Sequence, residues 1–444
     1  MSLQIAIVGS GPAGCFMAEL LSRKIDGCQI DIIERLPSLF GLVRAGVAPD
    51  HQGTKNVTRQ FERTLEKPNI RVLANLTLGE DISYETLKQF YDLIIFATGA
   101  SQDRTLNIAG EELSGVYGSS HFVGWYNGHP DSHQNPPKLS GPSVAIIGHG
   151  NVALDIARIL AKTPEENAST DICQSAMEAI NHSEIRDIYL IGRGSPEQAK
   201  FTPPELAELK DLSGATPLIE GYTIPESPSA DLEPREARAK QMNLDLFREF
   251  TKNTTSDLSG KIRIHFLFNL CPLSIQGTNG RVSCLNLEQT PSGEPGKNRS
   301  VPVNTLISAI GYCSDPITGV PFDDSNGRLI QESGLVEEGV YATGWCRRGP
   351  TGVIPTNRAD ALEISKRILN DLDNGVIPSG RPGRKAMDQF IKDHQLQVLS
   401  YIDWKRIDNA EQSAAQGGKP REKFISTADM VSLACESGLF STKL

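Results

Sequence analysis

The chain has 444 residues, of which 39% are hydrophobic and 22% charged, and its net charge is −10. This length predicts two or three domains, and the negative charge argues against a nucleic-acid partner, because phosphate backbones bind basic surfaces. The sequence contains no apolar run of about 18 residues, so no membrane-spanning helix is predicted. The opening stretch MSLQIAIVGSG does not resemble a secretory or transit peptide.

The first predicted unit is a strand, a glycine turn, a helix and a second strand. Its parts are a strand over 3–8, the turn Gly9-x-Gly11-x-x-Gly14, a helix to about Arg23, and a strand over 29–34 that ends in Glu34. The three glycines allow a sharp bend, the approach of a diphosphate, and close packing of helix on strand. A carboxylate at Glu34 binds a ribose 2′-hydroxyl and repels a 2′-phosphate, which predicts FAD or NAD here rather than NADP.

Further buried strands are predicted over 70–72 and 92–97. The second of them lies in the apolar run DLIIFATGA, which is typical of a strand covered on both faces. A polar, proline-rich linker over 129–142 then separates this region from a second unit.

The second unit repeats the order of the first. Its parts are a strand over 143–147, the turn Gly148-x-Gly150-x-x-Ala153, a helix to about Ala161, a polar excursion over 163–185 and a strand over 187–191. Arg193 follows this last strand, and no acid stands there. Because a guanidinium can pair with a 2′-phosphate, the second turn is predicted to hold NADPH. The alternative is a decayed nucleotide site with a surface arginine.

The rest of the chain predicts a return to the first domain. The expected elements are antiparallel strands over 261–268 and 281–288, a surface loop over 288–300, buried strands over 305–312 and 339–345, a helix beyond Asp360 and irregular chain over 408–425. We therefore predict an α/β protein with two doubly wound, Rossmann-like domains, the NADP domain being inserted into a discontinuous FAD domain. The predicted boundaries are 1–102 and 313–444 for the FAD-binding domain, with a C-terminal extension, and 103–312 for the NADP-binding domain.

The eight cysteines form no CxxC or CxxxxC pair. We interpret them as reduced and mostly buried thiols of a cytoplasmic protein, with no metal site, iron–sulfur cluster or redox disulfide. A chain that holds FAD and NADPH together would pass hydride from nicotinamide to flavin, with the protein aligning the two rings.

Several longer stretches resemble one family. They are FGLVRAGVAPDH (40–51), HFVGWYNGHP (121–130), IGHGNVALDIAR (147–158), GRGSPEQAKFTPPEL (192–206) and ATGWCRRGPTGVI (342–354). Together they resemble the adrenodoxin-reductase type of ferredoxin–NADP(+) reductase over roughly 3–370. The resemblance implies hydride transfer from NADPH to FAD, then single-electron transfer to a ferredoxin-like iron–sulfur protein of the kind that feeds a cytochrome P450 or another oxidase.

The resemblance also implies site residues. Around FAD these are Gly9, Gly11, Ala13 and Gly14 at the diphosphate, Glu34 at the ribose, Leu42 and Leu78 nearby, and Trp345, Gly352, Val353 and Ile354 beside the flavin. Around NADPH they are His149, Gly150, Asn151 and Val152 at the diphosphate, then Arg193, Glu205 and Gly352. His51 and Glu208 match a polar pair near the nicotinamide–flavin contact, where proton relay and structural hydrogen bonding are the two alternatives.

Two positions depart from the family pattern. Gly194 stands where a second adjacent arginine is usual, which predicts a weaker preference for NADPH over NADH unless Lys200 or Ser195 compensates. Ala207 stands where an arginine that helps to dock acidic ferredoxins is expected. Basic residues remain at Arg235, Arg238, Lys240, Arg248, Arg347 and Arg348, where a docking patch and a solvated surface are the alternatives.

Other functions also fit a flavin with a nicotinamide nucleotide. One alternative is a flavoenzyme whose electron acceptor is a flavodoxin. Another is a flavoenzyme with monooxygenase-type chemistry. A disulfide reductase is disfavoured by the missing CxxC. A subunit of a fixed electron-transfer complex and a non-enzymatic nucleotide sensor are further alternatives.

Overall fold

The computed structural model describes residues 2–254, 260–290 and 298–435. Its strands are β1 Gln4–Val8, β2 Gln29–Glu34, β3 Ile70–Ala74, β4 Leu93–Phe96, β5 Gln102–Asp103, β6 Val116–Gly118, β7 Ser143–Ile147, β8 Asp187–Ile191, β9 Ala215–Leu218, β10 Ile262–Leu267, β11 Leu270–Thr278, β12 Arg281–Gln289, β13 Arg299–Pro302, β14 Thr305–Ser308, β15 Tyr312–Cys313, β16 Phe322–Asp323, β17 Arg328–Leu329, β18 Leu335–Glu337 and β19 Val340–Ala342.

Helices cover both large sheets. They are α1 Pro12–Lys24, α2 Leu42–Ala45, α3 Gln52–Lys55, α4 Thr58–Leu65, α5 Tyr84–Phe90, α6 Ser119–Tyr126, α7 Pro130–His133, α8 Asn151–Ala161, α9 Pro164–Asn167, α10 Gln174–Asn181, α11 Pro203–Ala207, α12 Pro234–Phe250, α13 Trp345–Arg348, α14 Ile354–Asp373, α15 Arg384–Asp393, α16 Tyr401–Ser413 and α17 Thr427–Cys435. None of these helices combines the length and the apolarity that crossing a bilayer requires.

The first large sheet has the strand order β18-β19-β4-β1-β2-β3. Its strands run parallel except for β18, which pairs antiparallel with β19. Helices α1 and α14 pack together on one face, because α1 presents buried residues along its whole length. The sheet combines strands from the beginning of the chain with β18 and β19 from far beyond the second sheet, as the predicted domain insertion requires.

The second large sheet has the order β6-β14-β7-β8-β10-β9, and all of its strands are parallel. The antiparallel sheet β11-β12-β13 lies beside it in the chain. The short strands β5 and β15 pair antiparallel, so the segment that leaves the first sheet runs beside the segment that returns to it. The sequence prediction of an α/β fold with two Rossmann-like units is confirmed.

Some sequence-predicted elements are wrong in detail. The strand predicted as antiparallel over 261–268 is β10, which runs parallel to β8 and β9. Helix α12 explains the direction, because a helical crossover returns the chain to the same end of the sheet and makes the next strand parallel. The stretch predicted as irregular over 408–425 begins inside α16. Its inward-facing Asp408 and Glu411 hide the helix, since buried acids do not produce an apolar stripe.

Polar composition also concealed shorter helices. Helices α9 and α10 lie within the polar excursion over 163–185, and α7 lies within the predicted linker. In the predicted surface loop over 288–300, β12 extends to Gln289 and β13 begins at Arg299, while 291–297 lie outside the described residues.

The cysteines are all free, but they are not mostly buried. Four are buried, three are half-buried and Cys271 is exposed. Cys271 and Cys284 lie on β11 and β12, whose sheet has a solvent-facing side. The prediction that the cysteines are mostly buried is therefore wrong, since only half of them are.

Candidate cofactor sites and the cluster between them

The first glycine turn lies between β1 and α1. Gly9 has a φ of 109°, and a Cβ there would lie 2.4 Å from the carbonyl oxygen of Ala97. A Cβ on Gly14 would lie 2.0 Å from the oxygen of Gly9, whereas one on Gly11 would meet no atom within 4 Å. Two glycines are therefore required by packing, and the open face of Gly11 leaves the approach that a diphosphate needs.

Glu34 ends β2 beside this turn and is already hydrogen-bonded. Its Oε2 accepts from the amide nitrogen of Ser10 at 3.1 Å and from Ser10 Oγ at 2.7 Å, and its Oε1 accepts from the amide nitrogen of Leu36 at 3.1 Å. A carboxylate offers about four lone-pair positions, so one remains for a ribose hydroxyl. Ser10 Oγ also accepts from the amide nitrogen of Phe40 at 3.2 Å, a link that the sequence analysis missed.

The stretch predicted to lie beside the flavin connects β19 to α14. Gly344 has a φ of 73°, and its amide donates to the buried carboxylate of Asp360. Trp345 begins α13, and its Nε1 donates to the carbonyl oxygen of Thr351 at 3.2 Å. Gly352, with a φ of 81°, precedes the exposed Val353, and α14 begins at Ile354, before the helix predicted beyond Asp360.

The two predicted leucines occupy different surroundings. Leu42 is the first residue of α2 and is 37% exposed, directly after Gly41, whose Cβ would lie 3.2 Å from Gly11 Cα. Leu42 therefore stands next to the first glycine turn. Leu78 packs against the apolar cluster beneath β4 and pairs through its backbone with Ile82.

The second glycine turn repeats the main features of the first. Gly148 has a φ of 136°, and a Cβ there would lie 2.3 Å from the oxygen of Ala309. A Cβ on Gly150 would meet nothing within 4 Å, and Ala153 is fully buried in the helix that follows. In this turn Gly148 alone is needed for packing, Ala153 stands where the first turn has Gly14, and the face of Gly150 is left open.

Three further residues of the second turn are held by neighbours. His149 packs against the rings of Phe201 and Phe268 and contacts the carbonyl oxygen of Leu190 through Nε2 at 3.1 Å. Burial lowers the pKa of His149 to about 4, so it is neutral at pH 7. Asn151 Oδ1 accepts from the amide of Thr202 at 2.9 Å. Val152 packs, half-buried, on the core of this unit.

Arg193 and Glu205 lie beyond β8. Arg193 is exposed and forms no ion pair with any residue that the structure describes. Glu205 is on α11, and its Oε2 is buried and has no hydrogen-bond partner in the described part of the chain. An orphaned buried oxygen is costly unless a ligand satisfies it. A bound nucleotide with an amide or hydroxyl donor fits this requirement.

His51 and Glu208 are brought together although 157 residues separate them in the chain. His51 Nε2 lies 3.0 Å from Glu208 Oε2 and also 3.0 Å from Arg158 Nη2. Glu208 can only accept a hydrogen bond and Arg158 can only donate one. The proton on Nε2 therefore decides which of the two neighbours His51 engages, since none of the described residues hydrogen-bonds its Nδ1.

Arg158 is the centre of this cluster, and the sequence analysis did not find it. Its side chain is 2% exposed and forms ion pairs with Asp50 at 2.8 Å, Asp155 at 2.8 Å and Glu208 at 2.9 Å. Arg158 lies on α8, whereas Asp50 and His51 belong to the first region of the chain. The cluster therefore joins the two nucleotide-binding units beside a cleft of about 380 Å³.

The charges within the cluster shift several protonation equilibria. The hydrogen bond to Glu208 raises the pKa of His51 in spite of burial and the nearby Arg158. Burial favours the neutral form of Glu208, but His51 and Arg158 outweigh it and lower the pKa of Glu208. Burial raises the pKa of Asp155 to about 6. The pKa values of His51 and Asp155 are thus both raised, the first by a hydrogen bond to a carboxylate and the second by burial.

Several of the basic residues considered for docking are already paired. Arg347 donates to Asp360 at 2.9 Å, Arg348 donates to Asn357 at 2.9 Å, and Lys240 lies 3.1 Å from Glu236. Arg248 is held by backbone carbonyls and by Asp245. On α12 this leaves Arg235 and Arg238 exposed and without an ion pair to any described residue.

Comparison with known proteins agrees with this geometry. Residues 3–190 match the model of the pyridine nucleotide-disulphide oxidoreductase family. The chain is 36% identical to the NADPH:adrenodoxin oxidoreductase of Arabidopsis thaliana, over 97% of this chain and 95% of the relative. It is 35% identical to the NADPH-ferredoxin reductase FprA of Mycobacterium leprae, over 96% and 97%.

A solved structure extends the likeness to three dimensions. The structure of Mycobacterium tuberculosis FprA in complex with NADPH superposes with a TM-score of 0.90 at 34% identity, covering 98% of this chain and 100% of that one. Two nucleotide-binding turns, one closed by an acid and one by a base, define a flavoprotein oxidoreductase that uses FAD and NADPH. The chain belongs to the adrenodoxin-reductase-type family of NADPH-dependent ferredoxin reductases.

Proposed function

We propose that this chain transfers hydride from NADPH to FAD and passes the electrons singly to a small ferredoxin-type iron–sulfur protein. One observation carries the proposal: a single chain holds two matching glycine turns, one beside Glu34 and one beside Arg193. The names of its relatives, which include NADPH with adrenodoxin or ferredoxin, support the same donor and the same class of acceptor.

In this proposal the first unit holds FAD. The roles assigned are the diphosphate to Gly9, Gly11, Ala13 and Gly14, the ribose to Glu34, and the flavin surroundings to Leu42, Leu78, Trp345, Gly352, Val353 and Ile354. The free position on the Glu34 carboxylate and the open face of Gly11 support this assignment. When bound, FAD takes up two electrons as hydride and releases them one at a time, which no side chain of the protein can do.

The second unit holds NADPH. The roles assigned are the diphosphate to His149, Gly150, Asn151 and Val152, the 2′-phosphate to Arg193, and the nicotinamide end to Glu205 and Gly352. The neutral state of His149 and the unpartnered oxygen of Glu205 support these roles. Because His149 is neutral, it buries no charge beside α8. A donor group of the bound nucleotide satisfies the unpartnered oxygen of Glu205.

The protein's own contribution is to orient the nucleotides and to hold a proton near them. His51 holds that proton at Nε2, where Glu208 stabilises it and Arg158 disfavours it. Asp50 keeps Arg158 in place through a two-point ion pair, with contacts of 2.8 and 2.9 Å. His51 and Glu208 are therefore proposed as a proton relay rather than as hydrogen-bonding residues alone.

The acceptor is proposed to approach through exposed cations. Arg235 and Arg238 project from α12 and complement an acidic partner, which raises the rate of association more than the final affinity. We place the protein in the cytoplasm, since its cysteines are all free, although the name of the Arabidopsis relative is mitochondrial. We also propose the domain boundaries 102/103 and 312/313, which fall on the pairing of β5 with β15.

The experiment follows flavin absorbance in a stopped-flow spectrometer after mixing with NADPH or NADH, and then cytochrome c reduction with added ferredoxins. Rapid bleaching by NADPH and a ferredoxin-dependent rise in cytochrome c turnover are expected. Stimulation by flavodoxin alone, or oxygen incorporation into an organic substrate, would replace the proposed acceptor. A protein that binds flavin but shows no turnover would be a nucleotide sensor.

A further inference from the structure

We propose that Lys200 supplies a second cation to the 2′-phosphate of NADPH. Residue 194, where a second arginine is usual, is a glycine in this chain and has no side chain to do so. The proposal rests on the proposed function, specifically on the assignment of the second turn and Arg193 to NADPH. It makes Lys200 a residue that determines specificity, while hydride transfer itself does not involve it.

Arg193 alone leaves the phosphate incompletely neutralised. A phosphate monoester carries nearly two negative charges at neutral pH and three acceptor oxygens. Arg193 is the single exposed cation directly after β8, and Gly194 follows it. A chain that discriminates strongly between the two nucleotides therefore requires a cation from another segment.

The turn after Arg193 excludes two other groups that could bind the phosphate, a side chain at position 194 and the backbone amide of Ser195. A Cβ on Gly194 would lie 2.9 Å from both Cβ and Oε1 of Gln198, so Gln198 occupies the space above this position. Gln198 Oε1 in turn accepts from the amide of Ser195 at 3.0 Å. The backbone amide of Ser195 is therefore committed to this turn and does not face the phosphate.

Lys200 lies against His149, as does Gly192, the residue before Arg193. Its amide donates to the carbonyl oxygen of His149 at 2.7 Å, and a Cβ on Gly192 would lie 2.2 Å from Nδ1 of the same histidine. Lys200, and Gly192 next to Arg193, thus both approach the same residue, His149. That residue is part of the turn proposed to bind the diphosphate.

The backbone of Lys200 is fixed while its side chain is free. Ala199 and Phe201 are buried on either side of it, and Asn243 Nδ2 donates to the oxygen of Phe201 at 2.7 Å. The Lys200 side chain is exposed and forms no ion pair with any residue of the described chain. An ammonium group on a flexible stem above a rigid backbone can reach a ligand at little cost to the fold.

A neighbouring lysine provides the matched control. Lys240 lines the same cleft of about 340 Å³ as Lys200, but it is paired with Glu236 at 3.1 Å. The two residues share charge and location and differ in whether a carboxylate already neutralises them. Lys240→Met should therefore leave nucleotide binding unchanged.

The test measures binding of 2′,5′-ADP and of 5′-AMP to the FAD-loaded protein by titration calorimetry, together with flavin reduction by NADPH and NADH. Lys200→Met should weaken 2′,5′-ADP and raise the half-saturating NADPH concentration by about fivefold to twentyfold. The values for 5′-AMP and NADH should stay unchanged, and Lys200→Arg should restore tight binding.

Two outcomes would overturn the inference. Equal weakening of 2′,5′-ADP and 5′-AMP would place Lys200 at another part of the nucleotide. No change in Lys200→Met alongside a clear loss in Arg193→Met would show that one cation suffices. If Arg193→Met also bound 2′,5′-ADP normally, the NADPH assignment of the second turn would fail as well, which separates the two failures.

Discussion

The two glycine turns have nearly the same backbone and very different closing residues. Gly9 and Gly148 abut the carbonyl oxygens of Ala97 and Ala309 at 2.4 and 2.3 Å, and each turn leaves one open glycine face. Glu34, however, is fixed by three hydrogen bonds, whereas Arg193 is exposed and has no ion pair with the residues that the structure describes. In the proposed function the turn is a common diphosphate cradle, and the strand-end residue determines the nucleotide. A pre-organised residue suits a resident cofactor, and a free one suits a substrate that exchanges.

The largest effect is expected where the two units are joined. Arg158→Met takes the cation away from the half-buried Asp155 and leaves Asp50 with Lys162 alone, at 2.8 Å, so the free energy of unfolding should fall by about 3 kcal/mol. Urea denaturation of the FAD-loaded protein measures this change. Arg248→Met, at a more exposed ion pair, should change it by less than about 0.5 kcal/mol. Equal effects of the two variants would show that the cluster does not join the units.

The next effect sharpens the contrast between the fixed acid and the free base. Glu34→Gln replaces the carboxylate, which accepts charge-assisted hydrogen bonds from Ser10 and Leu36, with a neutral amide. The amide nitrogen is a donor and cannot accept either of these bonds. FAD affinity should fall by about 1.5–3 kcal/mol, and the melting temperature should fall too. Fluorescence titration of the apoprotein gives the affinity. Arg193→Met should leave the melting temperature as it was, and a drop there would mean that Arg193 is as built into the fold as Glu34.

The two open glycines test whether the cradles are independent. Gly11→Ala and Gly150→Ala each place a methyl group where no protein atom lies within 4 Å, so both variants should fold. Gly11→Ala should weaken FAD by about 1–3 kcal/mol and leave NADP(+) binding intact once flavin is saturating, and Gly150→Ala should do the reverse. Flavin content and calorimetry with NADP(+) measure the two effects. A variant that lost both ligands would contradict the independence of the units.

The smallest effect concerns protonation between the units. Glu208→Gln removes the carboxylate that stabilises protonated His51, so the pKa of His51 should fall. The pH at which the flavin-reduction rate changes should then move downward, while the half-saturating NADPH concentration stays nearly constant. NMR titration of the His51 ring checks the pKa directly. An unchanged pH profile would leave His51 and Glu208 with a structural role alone.

Local signals made the two cradles predictable from sequence. Strands β2, β7 and β8 and helix α8 have the bounds that the alternation of apolar runs and glycines indicated. Glu34 and Arg193 were singled out because each stands at or just after the end of the strand that follows its glycine turn. Such features depend on residues that are close together in the chain, so spacing and residue type are sufficient to predict them.

The residues that the sequence analysis missed act over long separations. Arg158 joins residues 107 and 108 positions away, and Ser10 contacts Glu34 and Phe40 through a hydroxyl that no motif requires. Glu411, fully buried, pairs with Arg44 across 367 positions. A charged residue in a helix is expected to face solvent unless its distant partner is known. Buried acids such as Glu411 therefore also concealed the extent of α16.

The position of β19 in the first sheet has a consequence for synthesis on the ribosome. Strand β4, with the sequence Leu-Ile-Ile-Phe, pairs with β1 on one side and with β19 on the other, and β19 is translated about 240 residues later. At about 5–20 residues per second, the outer edge of β4 waits on the order of 10–50 s for its neighbour, while the second sheet can already assemble. A nascent chain with such an apolar unpaired edge is a substrate for chaperones during that interval.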